Sequence, residues 1–396
     1  DTELAAQVRR EVELTGLFSC PVTASGSLHV PIDRKQWPRA ATAVVVISRQ
    51  TRADGGFATL STKTFHRSMP DEMRQRDLTD FPGSGALNAS TLADAILEDV
   101  LGVRGHMSGQ LTFTDASNSG ERTVRVMGPD GQRGRRISGF GALARGSDFG
   151  PNGLISYAAE DRSGKLSLFH EGSSTAVALS SSGYLQSVSF SPNGKHVVAS
   201  IGQGNEVETW VGDSLQALTK LPVTAGFSSL SPSVDDEGQV IHAVGPAKGP
   251  FSIHLGDRAI TTSGVWAAMP SFCSTAIEKR IVYMVRNGTH WDIRITSLVN
   301  GSTRTVVMGG MSPTCSPDGQ TVAFYSPGRG RHGEGIYLAS DDGGTARKVW
   351  DGQAASLRWR GGEQLPARRV EKLTVTDTPN AIDDDEISTD PASPAP

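Results

Sequence analysis

Turn signals recur at a near-constant interval over residues 145–362, and a repeat of this length fixes an architecture before any single residue is read. Its clearest members are Gly150-Pro151-Asn152-Gly153, Ser191-Pro192-Asn193-Gly194, Asp235-Asp236-Glu237-Gly238 and Ser316-Pro317-Asp318-Gly319. A degenerate member lies at Ala276-Ile277-Glu278-Lys279, and the last is Gly361-Gly362, after Ser356-Leu357-Arg358-Trp359. Successive turns are about 40 to 44 residues apart, the period of one propeller blade. Proline presets φ and glycine accepts a positive φ, so these tetrapeptides reverse the chain between strands. Short β-rich runs follow the turns at 154–158, 196–200, 240–244, 281–285 and 321–325. The spacing predicts a β-propeller of six four-stranded blades over residues 105–362.

The first blade lacks an innermost strand of its own. Segments 110–114, 122–127 and 134–137 read as three strands, and 354–359 has the look of an innermost strand at the far end of the repeat region. A blade built from both ends closes the ring and leaves no unpaired edge.

Residues 1–104 read as a small α/β domain. Leu4, Val8, Val12 and Leu14 share one side of a helix over 3–16, stopped by Gly16. A brief helical stretch at 35–39 leads to a Val-rich strand at 43–48. Asp54-Gly55-Gly56 is a hairpin turn, and 57–65 alternates as a half-solvated strand. The charged stretch 71–80 reads as a loop. Asn88 suits the N-cap of a helix whose inner face carries Leu92, Ile96, Leu97 and Val100, ended by Gly102. Residues 363–396 carry Asp383-Asp384-Asp385-Glu386 and several prolines with almost no large apolar side chain, so they are expected to be disordered.

The bulk numbers exclude some classes of function. With 38 Lys and Arg against 42 Asp and Glu, the chain has no general affinity for nucleic acid or anionic lipid. No run of eighteen apolar residues is present, so no helical membrane insertion is expected. The three cysteines, Cys20, Cys273 and Cys315, lack metal-ligand spacing. Cys273 and Cys315 occupy nearly equivalent places in adjacent repeats, where buried thiols are favoured over a disulfide. The sequence starts on helix-like residues without a basic and apolar leader. A mature secreted form and a cytoplasmic protein both fit that start.

Taken together, the helix ending Ile96-Leu97-Glu98-Asp99-Val100-Leu101-Gly102-Val103-Arg104-Gly105, the Gln36-Trp37 pair before the Val-rich strand, the Asp54-Gly55-Gly56 hairpin and the Ser-Pro-Asp-Gly turns resemble the TolB family. Those proteins are the periplasmic propellers of the Tol–Pal envelope system. The likeness covers most of residues 1–362. It departs at both ends: the family has an extended segment before its first helix that docks the inner-membrane protein TolA, and it has no acidic, Pro-rich tail.

The resemblance implies a non-enzymatic, monomeric, periplasmic scaffold without cofactor. Its propeller would bind a peptidoglycan-associated, Pal-like lipoprotein over the channel mouth. It would couple that lipoprotein to an energised inner-membrane complex containing a TolA-like protein, supporting envelope integrity and cell division or a related trans-envelope machine. The loops at 140–148, 180–187, 222–232, 262–270 and 308–313 would form the face, with Tyr184, Ser187 and Leu230 as contacts by alignment to the repeat. Trp266 and Met311 join them as large apolar loop residues suited to anchor an interface.

The alternative is a hydrolase or lyase acting in the channel. Gly172-Ser173-Ser174-Thr175-Ala176 lies in a blade turn without a following catalytic domain, unlike a nucleophile elbow. Gly328-Arg329-Gly330-Arg331-His332-Gly333 matches a dinucleotide fingerprint in letters but joins two strands. The nine histidines form no metal-binding pattern, and Asp235-Asp236-Glu237 lacks the alternating ligands of a calcium loop. His290, Asp292 and Arg331 are the residues such an enzyme would have to recruit.

Overall fold

The computed structural model describes residues 2–14, 41–49, 59–78, 85–102, 105–117, 120–139, 143–161, 163–179, 183–329, 331–362 and 369–372. The hairpin turn at Asp54–Gly56, the helix expected at 35–39 and most of the acidic tail lie outside them.

Helices α1 (Thr2–Leu14) and α2 (Gly85–Leu101) pack on an antiparallel sheet of Ala43–Arg49, Leu60–His66 and Met69–Leu78. Val8 and Val12 of α1 meet Leu92 and Ile96 of α2 over Leu60 and Leu78. Burying each of these side chains contributes about 1.5–3 kcal/mol. The helix starts three residues before Asn88, so Asn88 is inside it rather than at its N-cap. Gly102 ends it as expected, at φ +71° with its N–H donating to the Glu98 carbonyl.

Two segments read as irregular are strands. The charged stretch after residue 70 belongs to Met69–Leu78, paired with Leu60–His66. Its charge is compensated by the helix above: Arg76, buried, pairs with Asp99 and Glu98 at 3.1 Å each. Inside the expected tail, Arg369–Lys372 adds an antiparallel edge strand, with Lys372 opposite Glu72. Composition argued against order there, but a sheet edge supplies the backbone partners that the segment cannot supply itself.

Six further antiparallel sheets follow. Sheet 1 is Ala354–Arg360, Gln110–Asp115, Thr123–Met127 and Arg135–Arg136, so residues from the far end of the repeat pair with its first strand. Sheet 2 is Arg145–Phe149, Ile155–Glu160 and Leu166–His170. It has three strands where four were expected, its fourth reduced to the bridge Leu168–Val177. Sheets 3 to 6 have four strands each and begin with Tyr184–Phe190, Phe227–Val234, Ala267–Phe272 and Met311–Cys315.

A separate apolar cluster lies between each consecutive pair of sheets. Val126 meets Phe149 between sheets 1 and 2, and Leu168 meets Leu185 between 2 and 3. Val198 meets Val234 between 3 and 4, and Ile241 meets Ile281 between 4 and 5. Val282 meets Phe324 between 5 and 6, and Leu338 meets Phe113 between 6 and 1.

Cys273 and Cys315 form a disulfide, correcting the expectation of buried thiols. Spacing alone did not fix the approach of the two first strands of sheets 5 and 6, which brings their Cα atoms to 5.2 Å. That separation is ordinary for the bond.

Candidate partner-binding face

Every first strand carries a bulge, at the same place in five of the six. The register shifts between Arg145 and Asp148, Leu185 and Ser187, Leu230 and Ser233, Ala268 and Ser271, Met311 and Thr314, and Ala355 and Arg358. Aligned on the turns, the equivalent position is Gly146, Ser187, Ser231, Met269, Ser312 and Ser356; it opens the bulge in five strands, whereas Ser187 pairs with Ser200 and Gln186 is the residue left over in sheet 3. Gly146, Ser231, Met269, Ser312 and Ser356 have φ between +47° and +56°. L-residues enter this region at a cost, and such strain persists only where the surroundings over-determine it.

All six residues line one narrow cavity of about 30 Å³, room for about one water molecule. Neighbours in it touch: the Ser312 hydroxyl lies 3.2 Å from the Met269 sulfur and accepts from the Ser356 N–H at 3.4 Å. A Cβ on Gly146 would stand 2.8 Å from the Ser187 Cβ.

Arg358 lines the same cavity, and a carboxylate stands behind it. Asp148 accepts from the Ser189 hydroxyl at 2.7 Å and from the Phe190 N–H at 3.1 Å, with Arg358 Nε 3.6 Å away. Burial raises the Asp148 pKa, against the pull of Arg358 and these donors.

The five residues expected at the interface are distributed unevenly. Ser187 lines the cavity. Tyr184 is exposed at the start of the same strand, its ring laid on Gly202. Leu230 and Trp266 pack into the cluster between sheets 4 and 5, and Trp266 also carries Arg286 over its ring at 5.5 Å. Met311 is half-buried, next to Ser312. Sequence reasoning missed the ring of bulges, although Ser231-Pro232, Met269-Pro270 and Ser312-Pro313 repeat it in the letters.

Of the three residues named for a channel enzyme, two approach each other. His290 Nε2 stands 3.6 Å from Asp292, which is held by Asn287 and the Gly309 N–H. Among the described residues no hydrogen bond or ion pair joins Arg331 to either. Ser229 and His242 do meet at 2.5 Å, but both are buried, and the second ring nitrogen is 2.7 Å from the Gly256 carbonyl rather than an acid. No group of three or more His, Cys, Asp or Glu among the described residues is placed to hold a metal. No described helix is long and apolar enough to cross a membrane.

No family model matches this sequence, and no curated protein matches it. Solved structures do. TolB from Acinetobacter baumannii superposes with a TM-score of 0.69 at 18% identity, covering 91% of this chain and 94% of that one. The fold is TolB-like. A putative TolB from Agrobacterium tumefaciens gives 0.48 at 15% identity over 67% of this chain and 99% of its own. A Mycobacterium tuberculosis puromycin-hydrolyzing peptidase gives 0.44 at 11% identity over 78% and 53%. The likeness to the Acinetobacter protein spans both the helix-covered sheet and the sheets that follow, so the TolB-like fold includes the small domain as well.

Proposed function

We propose that this chain is a non-enzymatic periplasmic scaffold. Its six sheets would form one ring, closed by Ala354–Arg360, whose mouth binds a peptidoglycan-associated lipoprotein. Through a TolA-like protein the ring would couple that lipoprotein to an energised inner-membrane complex. The ring of bulges carries the reading. Six equivalent positions from six sheets meet around one constriction, and the loops leading into them would form the binding face. A nearly filled constriction bordered by hydroxyls and one guanidinium offers a surface to a protein and little volume to a substrate.

Two observations support the compartment and the class. The buried Cys273–Cys315 disulfide suits an oxidising environment. Among the described residues two buried serines contact a histidine ring, Ser229 with His242 at 2.5 Å and Ser156 with His170 at 2.8 Å, and neither ring is hydrogen-bonded to an orienting acid, which weighs against the hydrolase alternative.

The test is a calorimetric titration with the soluble domain of a peptidoglycan-associated lipoprotein from the same organism. Micromolar or tighter binding, competed by a Tyr184- or Met311-directed antibody fragment, supports the reading. Absence of binding by correctly folded protein contradicts it.

A further inference from the structure

A cavity of about 500 Å³ opens on the same side as the strand starts, between sheets 1 and 2. Arg122, Arg145, Glu121 and Glu160 supply its charge, and Leu143 its apolar lip. Glu121 is engaged by Arg136 at 2.7 Å. Arg122, Arg145 and Glu160 form no ion pair or side-chain hydrogen bond among the described residues. Two guanidinium groups therefore face one cavity with a single unengaged carboxylate, which closes on neither.

Their closeness is felt. Arg145 is half-buried, and burial followed by the Arg122 charge lowers its pKa, against Glu160 and Tyr184. Like charges gathered at a half-buried site are a standing cost that an incoming anion would relieve. Each guanidinium can also take a carboxylate through two parallel N–H donors. Leu143 and Tyr184, each 39% exposed, flank the pair with apolar surface.

We propose that Arg122 and Arg145 form a receptor for an acidic side chain of the protein partner, seated between sheets 1 and 2 and anchored beside Leu143 and Tyr184. The proposal rests on the scaffold reading and adds the partner's chemistry: an Asp- or Glu-bearing segment next to an apolar residue. The site stands apart from the constriction. It makes association salt-dependent where the bulge ring would not.

The probes are a fluorescent hexaglutamate peptide, its hexaglutamine counterpart, inorganic phosphate as competitor, and the lipoprotein's soluble domain. Wild type, Arg122→Glu and Arg145→Gln are each titrated at low and high salt, with melting curves to confirm folding. Arg122 is exposed, so its variant keeps the test alive if Arg145→Gln unfolds. Hexaglutamate is expected to bind wild type better than hexaglutamine, and to weaken about tenfold or more in Arg122→Glu. Lipoprotein binding should weaken alike and lose part of its salt dependence.

Equal hexaglutamate binding by wild type and variants overturns the proposal, as does absence of hexaglutamate binding by wild type. Hexaglutamate binding that appears only after deletion of residues 373–396 assigns the pocket to this chain's own acidic run and overturns the partner assignment. Lipoprotein binding that ignores both arginines overturns the pocket and leaves the scaffold standing. Arginine-dependent hexaglutamate binding with no lipoprotein binding keeps the pocket and removes the scaffold reading.

Discussion

His106 Nδ1 lies 3.0 Å from Asp318 Oδ2, so a residue just after the small domain is pinned to the Ser-Pro-Asp-Gly turn of sheet 6. On the other side, Asp94 of α2 accepts from the Met107 N–H at 2.6 Å and the Ser108 N–H at 2.8 Å. The histidine ring also meets Trp359 edge-on at 5.1 Å. The junction between the small domain and the sheets is thus held by buried, charge-bearing contacts.

Replacing His106 by Ala leaves Asp318 buried beside no cation. The expected loss is about 3 kcal/mol or more, read from denaturant melts. Burial alone would lower the His106 pKa, but the Asp318 and Asp94 carboxylates outweigh it and raise it above 6.5. The stabilisation is therefore complete below pH 6.5 and fades as pH rises through the raised value. For Asp318, burial raises the pKa, but His106 outweighs it and the net shift is downward. Its share is present above pH 3.8 and fades as pH falls through the lowered value. His106→Ala should flatten the alkaline limb of the profile.

Glu11 of α1 supplies a second proton-dependent contact. Burial first, then Asp130, push its pKa to about 9, against Arg133 and Ser90. The folded state thus holds a proton that the unfolded chain releases near 4.5, so this contribution falls as pH rises from 4.5 to about 9. At about 1.4 kcal/mol for each pH unit, the loss by pH 7 is roughly 3 kcal/mol. Glu11→Gln, neutral at every pH, should be more stable than wild type at pH 8 and should lose the slope. Melting temperatures across pH 5 to about 9 check this.

The disulfide joins strands that neighbour each other through 42 residues of chain. Cys273→Ala with Cys315→Ala is expected to cost ~2–4 kcal/mol, seen as a lower denaturation midpoint. Thiol titration of the unfolded wild type should find both cysteines oxidised.

At the bulge ring, Gly146 has no room for a side chain. Gly146→Val would place a β-branched side chain at φ +56° and a Cβ 2.8 Å from the Gln186 carbonyl oxygen. A loss of at least ~2 kcal/mol is expected. Ser356→Gly, at φ +53°, should be neutral or stabilising. Thermal melts of the two variants separate the effects.

Much of this fold is legible because its signals are local. The turns at Gly153, Gly194, Gly238 and Gly319 all have positive φ, between +70° and +79°, as the glycine closing each of these tetrapeptides leads one to expect. What stayed hidden depends on partners distant in the chain. Met69–Leu78 reads as a loop until α2 provides Asp99 for Arg76, and Arg369–Lys372 reads as a tail until a sheet edge receives it. The site was only partly legible. Repeat alignment points to Ser187 in the constriction but also to Leu230, which packs into the core between sheets 4 and 5, and size points to Trp266, which the same core takes up.

The most direct measurement is lipoprotein binding to a plugged mouth. Ser187→Arg puts a long cation where six sheets meet, on a strand whose fold tolerates exposure at Tyr184. A scaffold that binds through this mouth should bind the lipoprotein domain as wild type and lose it in the folded variant. Undiminished binding by Ser187→Arg, or none by wild type, would contradict the account.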